Sequence, residues 1–127
     1  MSERTPLAAT EWRLMQIIWE KHPITFREIC DKAIEQGGWS KYAVASFLKR
    51  MESKGAIASE DAEPVKLYRP LIDREDTIGA ETAEVVERVY NNNPVLMAQA
   101  MARQQGLSDE ELEQLTALLR KGGKRHK

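Results

Sequence analysis

The 127-residue chain offers few side chains for bond-making chemistry. Its single thiol, Cys30, shares an apolar helical stripe with Phe26, Ile29, Ala33 and Ile34. A small buried hydrophobe is the ordinary reading there, with a redox sensor as the rival. One cysteine permits neither an intramolecular disulfide nor a cysteine-rich metal cluster. His22 precedes Pro23 at a helix end and His126 lies in a basic tail, so the two histidines make no dyad and no zinc site. Asp109, Glu110 and Glu111 open a helix, where carboxylates suit the dipole, and do not form an acid–base pair. Gly37-Gly38 lacks the lysine and the preceding strand of a phosphate loop. These residues indicate no enzyme, no cofactor and no metal. The chemistry left is charge along a helix: Lys41, Lys49, Arg50 and Lys54 stand against Glu52 alone within residues 41–54. Such a surface suits a polyanion.

That stretch has two sides. Val44, Phe47, Leu48 and Met51 recur at helical spacing and form one apolar stripe. Tyr42, Ser46, Lys49 and Ser53 lie opposite, flanked by Ala45 and Arg50. Ser40 is the N-cap and Gly55 the C-cap. A recognition helix needs this apolar back and reachable front. Tyr42, Ala45, Ser46 and Lys49 are therefore the candidates for base edges; a lysine suits guanine O6/N7 and an alanine a thymine methyl. Ser40, through the amides that follow it, and Lys41, Arg50, Lys54, Lys66 and Arg69 are the candidates for phosphate. The rival for each lysine is an ordinary solvated side chain.

Other elements must hold this helix in place. Thr10 reads as an N-cap, with Trp12, Leu14, Met15, Ile18 and Trp19 at helical spacing behind it and Pro23 as the stop. The three tryptophans, Trp12, Trp19 and Trp39, are expected in the core, as are Met15, Met51, Met97 and Met101. Thr25-Phe26-Arg27-Glu28 is a capping box opening a second helix that ends at Gly37-Gly38. After Gly55, the extended runs Ile57–Ser59 and Val65–Arg69 flank an acidic turn, 60–64, as a β-hairpin. Helix, helix, helix, hairpin is the order of a winged helix-turn-helix domain. The expected fold is mostly α with this one small hairpin.

From Pro70 the character changes. Asp73 or Asp76 caps a helix reaching about Tyr90, with Ile78, Val85, Val86 and Val89 on its apolar side. Asn91–Pro94 breaks it. A second helix carries Leu96, Met97 and Met101, and a third opens on the Ser108–Glu111 capping box with Leu112, Leu115, Leu118 and Leu119. Each offers one narrow stripe and no sheet to lie on. Pairing with a second copy would bury the stripes, and the alternative is that they fold back on the first domain. Charge follows the same division. Residues 1–54 hold nine Lys/Arg against seven Asp/Glu, and residues 55–120 hold six against thirteen. We expect a winged-helix domain over 1–71, a helical dimerisation region over 72–121 and a flexible basic tail over 122–127. No apolar run suits a membrane span, and Met1–Thr10 lacks a signal-peptide core, so a cytoplasmic protein is expected.

At Trp39-Ser40 the chain meets a family. Trp39-Ser40-x-x-x-Val44-x-Ser46-x-Leu48-x-Arg50-Met51-x-x-Lys54-Gly55-Ala56-Ile57 resembles the penicillinase repressor family of winged-helix regulators (BlaI/MecI/CopY). Thr10-Glu11-Trp12-x-x-Met15-x-x-Ile18-Trp19 is similar to its first helix, Leu67-Tyr68-x-Pro70-Leu71 to the end of its wing, and Leu107–Leu115 to its last dimerisation helix. The resemblance implies a homodimeric bacterial repressor that binds a palindromic double-stranded DNA operator. Four departures stand out. Ala43 replaces a usual threonine. Glu60, Asp61 and Glu63 make the wing acidic where relatives often carry Lys, Arg and Gly. Gln99-Ala100 replaces the Asn-Phe bond cut in members that answer β-lactams. The Cys-x-Cys motifs of copper-responsive members are absent.

Two rival readings come from other classes. The acidic wing could serve a protein partner in a module with weak DNA affinity, or the C-terminal helices could enclose an effector. For a repressor, an inducer or a protease is the remaining partner class, and the sequence names neither.

Overall fold

Local signals set most of the element boundaries in the computed structural model, which describes residues 6–123. Helix α1 spans Ala9–Glu20, strand β1 Ile24–Thr25, α2 Phe26–Gly37 and α3 Lys41–Lys54. Strands β2 (Ile57–Ala62) and β3 (Val65–Pro70) follow, then α4 (Arg74–Val89), α5 (Pro94–Gln105) and α6 (Asp109–Gly123). At the head of α2 the Thr25 hydroxyl accepts from the Glu28 amide at 3.1 Å while Glu28 accepts from the Thr25 amide at 3.0 Å. This reciprocal box satisfies two amides that a helix start otherwise leaves unpaired. Lys21 adds an ion pair to Glu28 at 2.7 Å. Ser108 and Glu111 repeat the box at α6, and Asp73, accepting from the Asp76 amide, caps α4. Gly38 and Gly55 adopt the left-handed φ values of 69° and 83° that end α2 and α3.

α1 begins earlier than its sequence signal. Ala8 is the N-cap and Thr10 lies inside the helix, because Glu11 reaches back to the Ala8 amide at 2.9 Å. The hairpin also departs from expectation. β2 runs on to Ala62, so Glu60 and Asp61 are strand residues and the turn shrinks to Glu63-Pro64. Ile24 and Thr25 pair with Tyr68 and Leu67, adding a third strand in the antiparallel order β1-β3-β2.

One dry core joins α1, α2, α3 and the sheet: Leu14, Met15, Ile18, Ile24, Ile29, Val44, Leu48, Met51 and Ile57 are essentially inaccessible. The tryptophans stay at its rim, half-buried, contrary to the core placement expected of them. Trp12 leans on Trp19 with centroids 6.1 Å apart, and the Trp19 indole donates to the Ile72 carbonyl at 3.0 Å. An indole needs a partner for its N–H, and the rim supplies one. Ile34 is 48% exposed because the α2 stripe turns away from the core near its end.

The chain divides into two compact units after Ala80. The first turns of α4 thus group with the winged part. The second unit is different in kind. No residue of α4 or α5 is buried, and Met97 and Met101 are half-buried, not core. Of the tail expected from 122, Gly122 and Gly123 extend α6, and 124–127 lie outside the described residues. Among the described residues no helix is long and apolar enough to cross a membrane.

Candidate nucleic-acid interface

The site is built on α3. Val44, Leu48 and Met51 are buried behind it, and Phe47 meets Trp39 edge-on at 5.6 Å. This clamped back leaves the front free. Tyr42 is 79% exposed, and Lys41, Ala45, Ser46, Lys49 and Arg50 are exposed beside it. Arg50 lies over the Phe47 ring at 5.6 Å and Arg13 over Trp39 at 5.8 Å, so aromatic faces hold two cations near the helix. The Ser40 hydroxyl accepts from the Ala43 amide at 3.1 Å. Its oxygen is therefore occupied as a cap, and an anion there would meet backbone amides.

The wing supports this helix from behind. The Ser59 hydroxyl donates to Glu52 Oε2, tying β2 to α3. Lys66 stands across the hairpin from Asp61, and Arg69 lines a cavity of about 180 Å³ together with Glu60. Both cations are exposed, yet each neighbours an acid that opposes an approaching phosphate.

Lys54 also has partners within the fold. Its ammonium donates to Glu11 Oε1 and, at 2.8 Å, to the Pro6 carbonyl. Two of its three donors are thus committed internally, which leaves one for a phosphate. Glu11 is the buried acid this requires, fully inaccessible to solvent. Burial alone would raise its pKa. The hydrogen bonds from Lys54 and the Ala8 amide, with the charges of Lys54 and Arg50, outweigh that and hold it below the ordinary value. The pair escapes local sequence signals because its members lie 43 positions apart.

Arg27 on α2 lies close to α3. It lines a cavity of about 470 Å³ with Lys41, Cys30, Asp31, Phe26 and Ile34, which places two cations at one depression between α2 and α3. Cys30 itself is buried, and burial, aided by Asp31, pushes its thiol pKa up, away from a reactive thiolate. Among the described residues no three His, Cys, Asp or Glu side chains gather to hold a metal.

Three helices packed on a small sheet whose two long strands form a hairpin, followed by three further helices, define a winged helix-turn-helix protein with a helical extension. The penicillinase repressor family profile matches residues 7–121. The penicillinase repressor of Bacillus licheniformis is 26% identical over 127 residues, spanning 100% of this chain and 99% of that one. The methicillin resistance regulatory protein MecI of Mammaliicoccus sciuri is 24% identical, over 91% of this chain and 94% of its own. Among solved structures, the monomeric form of Bacillus licheniformis BlaI in complex with the blaP half-operator aligns with a TM-score of 0.53 and 26% identity, covering 60% of this chain and 93% of that one. The chain belongs to the penicillinase repressor family.

Proposed function

We propose that this protein is a homodimeric transcriptional repressor, not an enzyme, that acts in the cytoplasm and binds a palindromic operator with α3 of each copy in the major groove. The carrying observation is the two-sidedness of α3, a fully buried back beneath a front where Tyr42 is 79% exposed. Membership in a family with a relative solved on a half-operator supports the same reading. In this reading Tyr42, Ala45, Ser46 and Lys49 read base edges. Lys41, Arg50, Arg27 and the amides after Ser40 hold phosphates. Lys66 and Arg69 add contacts weakened by their acidic neighbours. Lys54 is assigned to holding α3 through Glu11 and the Pro6 carbonyl.

Self-association supplies what one domain lacks. Val89, Leu96, Leu112 and Leu118 are 58%, 44%, 37% and 64% exposed on the C-terminal helices. Ile78, Val85, Val86, Met97, Met101 and Leu115 are half-buried. The Leu119 side chain lies outside the described set. A second copy of the same stripes is the self-complementary cover. Linking two weak half-site contacts then multiplies affinity through effective concentration. Release falls to an inducer or a protease.

A gel shift or anisotropy titration with duplexes recovered from random DNA tests the reading. Binding should fall steeply with salt, with a log–log slope of roughly −0.9 per phosphate neutralised. No binding to any duplex in dilute buffer would refute it.

A further inference from the structure

We propose that Glu11 is a positioning residue for the recognition helix: its buried carboxylate clasps Lys54, the last residue of α3, and sets the tilt at which Tyr42, Ser46 and Lys49 meet the bases. The proposal rests on the DNA-binding reading above and adds a residue remote from the helix front.

Glu11 is the one charged side chain buried among the described residues. Its Oε1 accepts from Lys54 and from the Ala8 amide, while the equally buried Oε2 has no partner. As a source of stability this is a poor arrangement. A carboxylate left half satisfied in a dry site carries a desolvation cost that an apolar pair of the same volume avoids. What the charges do provide is a directional link. It joins the first turn of α1 to the last turn of α3, and the Pro6 carbonyl closes it from the N-terminal side. The site of the link matters. Gly55 follows at once in a left-handed conformation, then Ala56 and Ile57 enter the core as the wing begins. Lys54 is thus the pivot between helix and wing, with Ser59–Glu52 as the second tether on the wing side.

A helix turns a small error at its pivot into a large one at its far end. At a rise of about 1.5 Å per residue, Tyr42 lies about 18 Å from Lys54, and a tilt of about 10° moves it about 3 Å. The distance window for a hydrogen bond is only about 0.5 Å wide, so such a tilt abolishes base contacts. Flexible phosphate contacts from Lys41 and Arg50 tolerate it. Loss of the clasp should therefore degrade discrimination and leave general DNA affinity intact.

The test compares the tightest duplex recovered by selection with a scrambled duplex of equal length, at one salt concentration, beside urea unfolding. The proteins are the full-length wild type, Glu11→Gln, Lys54→Met, the double variant and Lys54→Arg. We expect each single variant to bind the selected duplex about tenfold more weakly and the scrambled duplex within about twofold of wild type. The double variant should lose no more than either single one, because both remove the same contact. Lys54→Arg, which keeps the charge, should restore most of the preference. If a single variant does not fold, the double variant, which leaves no buried charge, carries the same comparison. Preference retained in Glu11→Gln and in the double variant overturns the proposal. So does an equal loss on both duplexes with a flatter salt dependence in Lys54→Met, which makes Lys54 a phosphate ligand. A wild type that prefers no duplex overturns the DNA reading itself, a result distinct from either.

Discussion

The two units of this chain solve the burial problem in opposite ways. Residues up to Ala80 bury Leu14, Ile18, Leu48, Met51 and Ile57 to below 2% exposure within a single copy. From Glu81 on, the helices carry apolar stripes of the same residue types, yet Val89 and Leu118 remain 58% and 64% exposed. Helix signals are equally good in both: Thr25-Glu28 and Ser108-Glu111 form the same reciprocal cap. The difference teaches that a cap and a stripe make a helix, while a sheet or a second layer makes a core. Here the first unit contains its own second layer, and the second unit leaves its stripes exposed, which is what the proposed pairing would cover.

Substitutions on the two sides should separate them. The largest effect is expected where a stripe meets its own copy. In the proposed dimer Leu118→Asp removes two leucines from a two-fold interface, each contributing about 1.5–3 kcal/mol, so dimerisation should weaken by roughly 3–6 kcal/mol. Sedimentation should then show a 14.5 kDa particle. A dimer undisturbed by this change would place the interface elsewhere. Next in size, Leu48→Ala opens a cavity in a closed core and should cost about 2–5 kcal/mol of stability in urea unfolding. If the two substitutions act equally on unfolding of the first unit, the contrast between the units fails.

A smaller effect sharpens the site. Lys49→Ala should cost about 1–3 kcal/mol on the preferred duplex and relax selection at one base pair. Equal loss on preferred and random duplexes would make Lys49 a phosphate contact.

The smallest effect concerns the α2 cap. The hydrogen bond from Lys21 and those from Thr25 hold the Glu28 pKa down to about 2, from 4.5. A lowered carboxylate pKa means the unfolded chain takes up the proton first. The cap's contribution is therefore fully present above pH 4.5 and fades as pH falls toward 2. Because Glu28 is exposed, the contribution is small. Acid titrations of wild type and Glu28→Gln should converge across that window, and parallel curves would contradict the assignment.

How much of this was legible beforehand follows the range of each interaction. α3 runs over Lys41–Lys54 as its sequence says, because Ser40 and Gly55 act within one turn of its ends. The exposed front of Tyr42, Ser46 and Lys49 follows from helical period alone. Misreadings begin where partners lie far apart in the chain. Thr10 looked like a cap because it is the right residue type, but Glu11 satisfies the Ala8 amide from three residues on. β1 is two residues long and exists only because β3 pairs with it. By residue type Lys54 is one more cation on a basic helix, and its ion pair with Glu11 depends on packing between α1 and α3.

The most direct test of the account is selection of bound fragments from random duplex DNA by the intact protein. Two copies joined through residues 81–123, each presenting one α3, predict an inverted repeat whose half-site centres lie about 10 base pairs, or a multiple of that, apart. Recovery of a lone asymmetric half-site, or of no enriched sequence, would contradict it.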